Sequence, residues 1–157
     1  MKKRKKVMFI SSCGGHLTEL LSIEKIFKYY NYILVTEKNS ISKKLKDKYN
    51  IEYLMCGSRN EPIKYPLVII INIIKSIYLF FKYKPELIYT TGTHTCVPMC
   101  FIAHLFKKKI IYVEVIDRID NPTLTLKIIS RIADTIIVQH KEMLDKFPNA
   151  KYFGGVF

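Results

Sequence analysis

The chain has 157 residues, of which 49% are hydrophobic and 25% are charged. This length and composition fit one globular domain and exclude intrinsically disordered and collagen-like chains. The net charge of +13 comes from 22 Lys and 4 Arg against 13 acidic residues. Because Lys acts as a point charge on phosphate whereas Arg reads bases, the excess favours an anionic membrane surface or phosphorylated ligands and argues against nucleic acid as a partner.

The N-terminus and the cysteines bear on location and on metal binding. Residues 1–6 carry five positive charges, and the apolar run after this basic tail is too short for the core of a signal peptide. No stretch of 20 residues is both apolar and free of charge, so we expect no conventional transmembrane span and a cytoplasmic location. The four cysteines lack the paired spacing of a zinc site, so we expect free thiols and neither metal nor cofactor: Cys13, Cys56, Cys96 and Cys100.

The first predicted strand, at residues 7–11, leads into Gly14, Gly15 and His16. Apolar residues then recur at helical spacing through Phe27, so the glycines lie where a strand turns into a helix. Such a turn lets a ligand approach the unpaired N–H groups of the helix and is typical of phosphate binding, although it also occurs as a simple tight turn. The three-glycine dinucleotide pattern is absent, but Glu37 after the second strand could mimic the acidic residue that holds a ribose.

The remaining segments alternate between strand and helix patterns. Strands are predicted at residues 32–35, 51–55, 87–91, 110–115, 135–138 and 151–153. Helices are predicted at residues 40–48 (capped by Ser40), 66–81, 93–106 (with Pro98 in its first turn), 122–132 (opened by Pro122) and 141–147, and residues 57–62 are predicted to form a loop. This alternation predicts one α/β domain over residues 1–157, a Rossmann-like doubly wound parallel sheet that binds ligands at the carboxyl ends of its strands.

The helix predicted at residues 66–81 is apolar over most of its circumference. Its polar residues, Asn72, Lys75, Ser76 and Lys82, form one narrow stripe. One side of the helix can pack on the sheet, and the rest needs a membrane or, alternatively, a partner chain. We expect membrane contact, with Lys64 and Lys84 also facing anionic lipid, through Leu67, Ile70, Ile71, Ile74, Lys75, Phe81 and Lys82.

Several side chains near the predicted strand ends could carry chemistry. His16 could accept a proton from a sugar hydroxyl, bind a diphosphate, or only cap its helix. His94 follows the fourth strand, where Thr93 and Thr95 could cap the next helix. Glu114 ends a buried strand, where a carboxylate needs a partner such as Arg118, and it could be a base, a ligand for a hydroxyl, or half of a structural ion pair.

These residues belong to a set of short motifs with a recognisable order. The motifs are residues 12–17 (SCGGHL), 89–93 (YTTGT) leading to 96–98 (CVP), 112–114 (YVE) with Arg118, 124–125 (LT) and 138–139 (VQ). Together they resemble the acceptor-side, N-terminal half of split GT-B glycosyltransferases. That family includes the membrane-anchoring subunit of the dolichol-diphosphate N-acetylglucosamine transferase and bacterial half-enzymes of capsule and exopolysaccharide synthesis. Val115, Leu126 and His140 depart from the residues common in that family.

The resemblance implies a division of labour between two chains. A complete GT-B enzyme has two Rossmann-like domains, so a partner subunit would supply the nucleotide-sugar site while this chain binds an undecaprenyl-diphosphate-linked acceptor. It implies inverting transfer of a sugar from a UDP-sugar at the cytoplasmic face of the plasma membrane, with peripheral attachment and little activity of this chain alone. His16 or Glu114 would assist deprotonation, and the acceptor diphosphate would be bound by Gly14, Gly15, Gly92, Thr93, His94 and Arg118. The alternative is a non-catalytic membrane-docking module that recruits the partner glycosyltransferase.

Overall fold

The computed structural model describes residues 4–57 and 64–156, which build a seven-stranded sheet in which all neighbouring strands are parallel. The strand order is β3-β2-β1-β4-β5-β6-β7. The chain adds β2 and β3 on one side of β1 and then adds β4 to β7 on the other side, so the order of the strands switches between β1 and β4. The Rossmann-like, doubly wound fold is thereby confirmed. The strands are β1 (Lys6–Ile10), β2 (Asn31–Glu37), β3 (Ile51–Leu54), β4 (Leu87–Thr90), β5 (Lys109–Val113), β6 (Thr135–Val138) and β7 (Lys151–Tyr152).

Three predicted features extend beyond the residues that the structure describes: the basic tail, the loop at residues 57–62 and the domain ends. Residues 1–3 of the basic tail, residues 58–62 of the predicted loop and residue 157 lie outside the described residues. Lys6 belongs to β1 and not to the tail, because its backbone pairs with Asn31 and its N–H donates to the carboxylate of Glu86. The domain limits of 1 and 157 stay a prediction.

Two hydrophobic clusters, one on each face of the sheet, follow from the alternation of side chains along the strands. In β1, Val7 and Phe9 point toward the cluster that includes Leu20, whereas Met8 and Ile10 point toward the larger cluster on the other face. All four side chains are at most 1% exposed. A strand covered on both faces reads as a continuous apolar run, which is why the sequence pattern predicts β1 well.

The helix predicted at residues 66–81 is longer than predicted, whereas the other α-helices are shorter and several adjoin 3-10 turns. The α-helices are α1 (Gly15–Ser22), α2 (Ser40–Lys43), α3 (Lys64–Tyr83), α4 (Val97–Leu105) and α5 (Leu124–Ile129). The 3-10 turns span Glu24–Tyr29, Lys44–Asp47, His94–Cys96 and Lys141–Asp145. Apolar spacing does not distinguish these turns from α-helix, because it reports which face is buried and not which carbonyl accepts each N–H.

Two predicted helix starts are wrong. Asn39, not Ser40, caps α2, because its Oδ1 accepts the backbone N–H groups of Ile41 and Ser42. Thr123, not Pro122, precedes α5, and its hydroxyl oxygen accepts the N–H of Leu126. In both cases the cap is the residue next to the predicted one, and its side-chain oxygen accepts a backbone N–H of the first helical turn that would otherwise have no partner. Pro98 lies in the first turn of α4, as predicted.

The polar stripe of α3 faces inward. Asn72 and Ser76 are buried, and the Asn72 amide pairs with both backbone groups of Met55, accepting its N–H at 2.7 Å and donating to its carbonyl at 2.9 Å. Because β3 is the edge strand, the backbone just beyond it needs such partners. Lys75 donates to the carbonyl of Tyr53 and Lys82 pairs with Glu52 at 2.7 Å, so both ammonium groups bond to protein groups, and their contact with lipid stays a prediction.

The opposite side of α3 carries a row of exposed apolar side chains at helical spacing, which we call the apolar face: Leu67, Ile70, Ile74, Tyr78 and Phe81. Each is between 50% and 62% exposed, whereas the predicted contact Ile71 is only partly exposed. By its length of 20 residues and a mean hydropathy of 1.6, α3 could also cross a membrane, so the expectation that composition excludes a span is wrong. In this structure, however, α3 is packed as part of the domain, because Asn72 is bonded to Met55 and α3 packs on α4.

Candidate functional site

A cleft of about 590 Å³ lies at the carboxyl ends of the strands, where the turns after β1 to β5 converge. Its walls bring together four of the predicted site residues: His16, Thr93, His94 and Arg118. Cys13, Glu37, Cys56 and Thr123 also line it. The topology accounts for the position of this cleft. Because the strand order switches between β1 and β4, the turns that follow these two strands lead to opposite sides and leave a crevice between them.

The turn after β1 lines the cleft through Ser12, Cys13 and His16, whereas Gly14 and Gly15 lie beside that lining. Gly14 has φ of +79° and precedes α1 with no side-chain cap. A Cβ built on Gly14 or Gly15 would meet no atom within 4 Å, so both glycines border open space. The N–H groups of Gly15 and His16 open the helix and have no acceptor within it. This backbone can approach an anionic ligand closely, as the sequence predicts.

His16 is held in one orientation by the turn after β4. Its Nδ1 lies 2.8 Å from the carbonyl oxygen of Thr91, and the Thr91 hydroxyl donates in return to the carbonyl of His16 at 2.9 Å. Because a carbonyl only accepts, Nδ1 carries the proton in the neutral ring and Nε2 keeps the lone pair. The imidazole lines the cleft wall, and it does not cap α1, which has no side-chain cap.

Gly92 is packed against this histidine. Its φ is +91°, and a Cβ there would lie 3.1 Å from the Tyr112 hydroxyl and 3.6 Å from Cε1 of His16. A side chain would therefore push both rings. Gly92 forms part of the support of the site, and the predicted diphosphate contact at this residue could involve only its backbone. Thr93 provides no side-chain cap to the turn that follows, contrary to one of its predicted roles.

Glu114 lies behind the cleft wall. It is fully buried, and its two oxygens accept the Thr123 hydroxyl at 2.9 Å and the Val115 N–H at 3.2 Å. Burial raises the pKa of Glu114, and these two hydrogen bonds oppose the rise. Arg118 forms no ion pair with Glu114, although its charge also lowers the pKa of Glu114; the Arg118 side chain pairs with Asp117 at 3.6 Å, and Arg118 lines the cleft. Glu114 thus holds Thr123 in place.

Glu37 is buried at the end of β2 and is engaged by protein groups. It accepts the Thr95 hydroxyl on one oxygen and the Cys13 N–H and thiol on the other, at 3.4 and 3.1 Å. Thr95 is therefore not a helix cap. With both oxygens occupied, Glu37 is not available to hold a ribose in this arrangement, which argues against the dinucleotide alternative.

Sequence reasoning missed Glu19, which follows His16 by one helical turn. Its carboxylate accepts the N–H of Ile116 at 3.1 Å and so ties α1 to the loop after β5. Burial raises the pKa of Glu19, while the Ile116 bond and the proximity of His16 lower it. The spacing of three residues on one helix face was the available signal.

Comparisons with known proteins agree with this fold. A family model described as "Oligosaccharide biosynthesis protein Alg14 like" matches residues 7–156. The mouse "UDP-N-acetylglucosamine transferase subunit ALG14" is 25% identical over 182 residues, which covers 96% of this chain and 82% of that protein. In Borreliella burgdorferi, the "UDP-N-acetylglucosamine--N-acetylmuramyl-(pentapeptide) pyrophosphoryl-undecaprenol N-acetylglucosamine transferase" is 34% identical over 161 residues, or 94% of this chain.

This chain spans 44% of the length of the Borreliella enzyme. In the comparison with solved structures, this chain again covers less than half of each matched protein. A crystal structure of MurG from Acinetobacter baumannii superposes with a TM-score of 0.72 at 18% identity, covering 88% of this chain and 42% of the other. A UDP-N-acetylglucosamine 2-epimerase from Rickettsia bellii gives a TM-score of 0.69 at 20% identity, covering 97% and 45%. The fold is thus that of one half of a GT-B protein.

Proposed function

This chain belongs to the Alg14-like family of oligosaccharide biosynthesis proteins, and on that premise we propose that it is the acceptor-binding subunit of a heteromeric glycosyltransferase. It binds a sugar linked to a polyprenyl diphosphate, with undecaprenol as the lipid, at the cytoplasmic face of the plasma membrane. A partner subunit holds the UDP-sugar, as the word "subunit" in the name of the mouse relative suggests. The assignment to capsule or exopolysaccharide synthesis rests on the resemblance of the sequence motifs to bacterial half-enzymes.

The observation that carries the proposal is the position of α3, which joins the cleft to an apolar surface. The Tyr65 ring, in the first turn of α3, lies 5.4 Å from the ring of His94 at the cleft. From there α3 extends for 20 residues, about 30 Å, with the apolar face exposed along it. A lipid-linked sugar has the same two parts, a hydrocarbon tail and a diphosphate headgroup. A peripheral protein with α3 in the headgroup boundary would present its cleft to that headgroup.

The charge of the chain supports contact with an anionic surface. The net charge is +13, and each Lys close to such a surface contributes about 1 kcal/mol. Lys84, Lys107 and Lys108 follow α3 and α4 and are exposed or partly exposed. Phe81 of the apolar face lies 5.3 Å from Phe106, so these lysines flank one continuous apolar area. Lys107 and Lys108 thus add to the lysines that the sequence predicts as lipid contacts, of which Lys84 is one.

In the proposed reaction, Nε2 of His16 accepts the proton of the acceptor hydroxyl. That oxygen forms a bond to the anomeric carbon of the sugar while the bond from that carbon to UDP breaks, which inverts the configuration. Arg118 and the N–H groups of Gly15 and His16 bind the acceptor diphosphate by charge and hydrogen bonds. Glu114 is a positioning residue for Thr123, because its oxygens are occupied and do not reach the cleft surface.

Vesicle flotation tests the membrane part of the proposal. We expect the chain to float with vesicles of phosphatidylglycerol and phosphatidylcholine. Replacing Ile70 and Ile74 by Glu should reduce the bound fraction at least about tenfold, because each charge opposes insertion of the apolar face. Ile41→Glu is the matched control, since Ile41 is 69% exposed on α2. Equal flotation of all three proteins would contradict the membrane role of α3.

A transfer assay tests the role of the cleft. The chain is co-expressed with its partner glycosyltransferase, and transfer from a radiolabelled UDP-sugar to a lipid-linked acceptor is compared for wild type and His16→Ala. A loss of about a hundredfold or more is expected for removal of a base. Full activity of His16→Ala and Gly15→Trp together, with loss only when α3 is charged, would favour the non-catalytic docking module. Equal transfer with and without this chain would exclude both roles.

A further inference from the structure

Three side chains capable of binding metal meet at one wall of the cleft. They come from the carboxyl ends of three neighbouring strands: Cys13 follows β1, Glu37 ends β2 and Cys56 follows β3. The Cys13 Sγ lies 3.1 Å from Glu37 Oε2, and the two sulfurs and the carboxylate oxygen all lie within 4.8 Å of one another. Neither the proposed reaction nor the family comparison uses this cluster.

We propose that Cys13, Glu37 and Cys56 form a binding site for a thiophilic divalent cation, with Zn²⁺ as its probe, that fastens the Gly14–Gly15 turn to the end of β3. The proposal goes beyond the proposed function and does not depend on it. Thiolates select zinc-like cations, and a carboxylate is a common additional ligand.

The geometry fits such an ion. Bonds of about 2.3 Å to sulfur and about 2.0–2.2 Å to oxygen at the tetrahedral angle separate ligand atoms by about 3.5–3.8 Å. The three atoms, 3.1 to 4.8 Å apart, need to move by about 1 Å. The Thr95 hydroxyl and the Cys13 N–H donate to Glu37 and hold its carboxylate toward the sulfurs, as outer partners of metal ligands do. Three protein ligands leave a fourth position open to the cleft.

The Cys13 thiol donates to Glu37 Oε2, and a cation that binds both groups would displace that thiol proton, because a metal ion is bound by the thiolate. A disulfide would join the two sulfurs but would give the buried Glu37 no part in the cluster.

Cobalt spectroscopy on the full chain in a non-thiol reductant tests the proposal. Co²⁺ at one equivalent should give a near-ultraviolet thiolate-to-cobalt band, Zn²⁺ should displace it, and protons should be released on binding. Cys56→Ser should lower the affinity about a hundredfold or more, and because Cys56 is exposed this variant should fold normally. Cys13→Ser should do the same and Glu37→Gln should weaken binding.

Cys100→Ala is the control for the number of thiols, because Cys100 is buried in the core away from the cleft and the band should persist. Zn²⁺ should also raise the thermal unfolding temperature of wild type and not that of Cys56→Ser. The absence of a thiolate band in wild type, or an equal band in Cys56→Ser, would overturn the proposal.

Discussion

The turns after β1 and β4 lie side by side at the middle of the sheet, and both depend on glycine for different reasons. Gly92 is buried, with a Tyr112 hydroxyl and the His16 ring where a Cβ would lie. Gly14 and Gly15 border open space, where a Cβ would meet no atom within 4 Å. The β4 turn is therefore a support and the β1 turn is the surface that it supports. Adjacent position and similar composition do not imply the same role.

The largest expected effect is that of Gly92→Ala on stability. An alanine with φ of +91° is strained, and its Cβ would also lie 3.1 Å from the Tyr112 oxygen. The two penalties together should lower the free energy of unfolding by about 3 kcal/mol, which denaturant titration can measure. A change below about 1 kcal/mol would show that the β4 turn is not the rigid member of the pair.

Gly14→Ala should have a smaller effect because only the backbone is strained. Gly14 has φ of +79° and ψ of −143°, a region that is nearly exclusive to glycine, but a Cβ there meets nothing within 4 Å. We expect a loss of about 1–3 kcal/mol, below that of Gly92→Ala in the same titration. Gly154→Ala is the control for strain without a neighbour, since Gly154 has φ of +83° in equally open space. Equal losses at Gly14 and Gly92 would remove the distinction between the turns.

Thr91→Val tests the connection between the two turns. The substitution removes the hydroxyl that donates to the His16 carbonyl and keeps the Thr91 carbonyl that binds Nδ1. The expected loss of stability is about 1 kcal/mol, the net contribution of one hydrogen bond. Thr18→Val is the control, because the Thr18 hydroxyl makes only a longer, exposed contact of 3.3 Å within its own turn. A Thr91→Val protein as stable as this control would indicate that the turns are independent.

How far the sequence predicts the fold depends on the range of the interactions involved. A central strand such as β1 is predicted well because a strand buried on both faces is a continuous apolar run. The inward Asn72 of α3 is not predicted, because its partner is the backbone of Met55, which no periodicity within α3 reveals. The apolar pattern of a helix indicates which face is buried. Whether a polar residue such as Asn72 is buried depends on unpaired backbone groups next to the neighbouring strand.

The same limit applies to the site. The sequence predicts that His16 and His94 lie at the same end of the sheet because strand ends of a parallel sheet share one edge, and both line the cleft. The tautomer of His16 depends on Thr91, which is 75 residues away in the sequence. The cluster of Cys13, Glu37 and Cys56 likewise joins residues from three strand ends. Glu114 was placed in the site by its position after β5, but the backbone turns its carboxylate to Thr123. Spacing predicts which turns meet and does not predict which way each side chain points.

The smallest effect on stability, and the sharpest test of the comparison, belongs to Gly15→Ala. Gly15 is the first residue of α1, it has no positive φ, and a Cβ there meets nothing within 4 Å. Alanine should therefore leave the free energy of unfolding unchanged or raise it by up to about 0.5 kcal/mol. The new methyl group would occupy the space through which an anionic ligand approaches the helix N–H groups.

We therefore expect Gly15→Ala to raise the KM for the lipid-linked acceptor about tenfold while the protein keeps its stability and its vesicle flotation. Measured with the partner subunit, the opposite pattern is expected for Gly92→Ala once temperature is lowered to keep it folded, because that substitution acts on the support and reaches the ligand only through His16. If both variants lost stability and acceptor binding in proportion, the two turns would be one structural unit, and the open space beside Gly15 would not be where the acceptor binds.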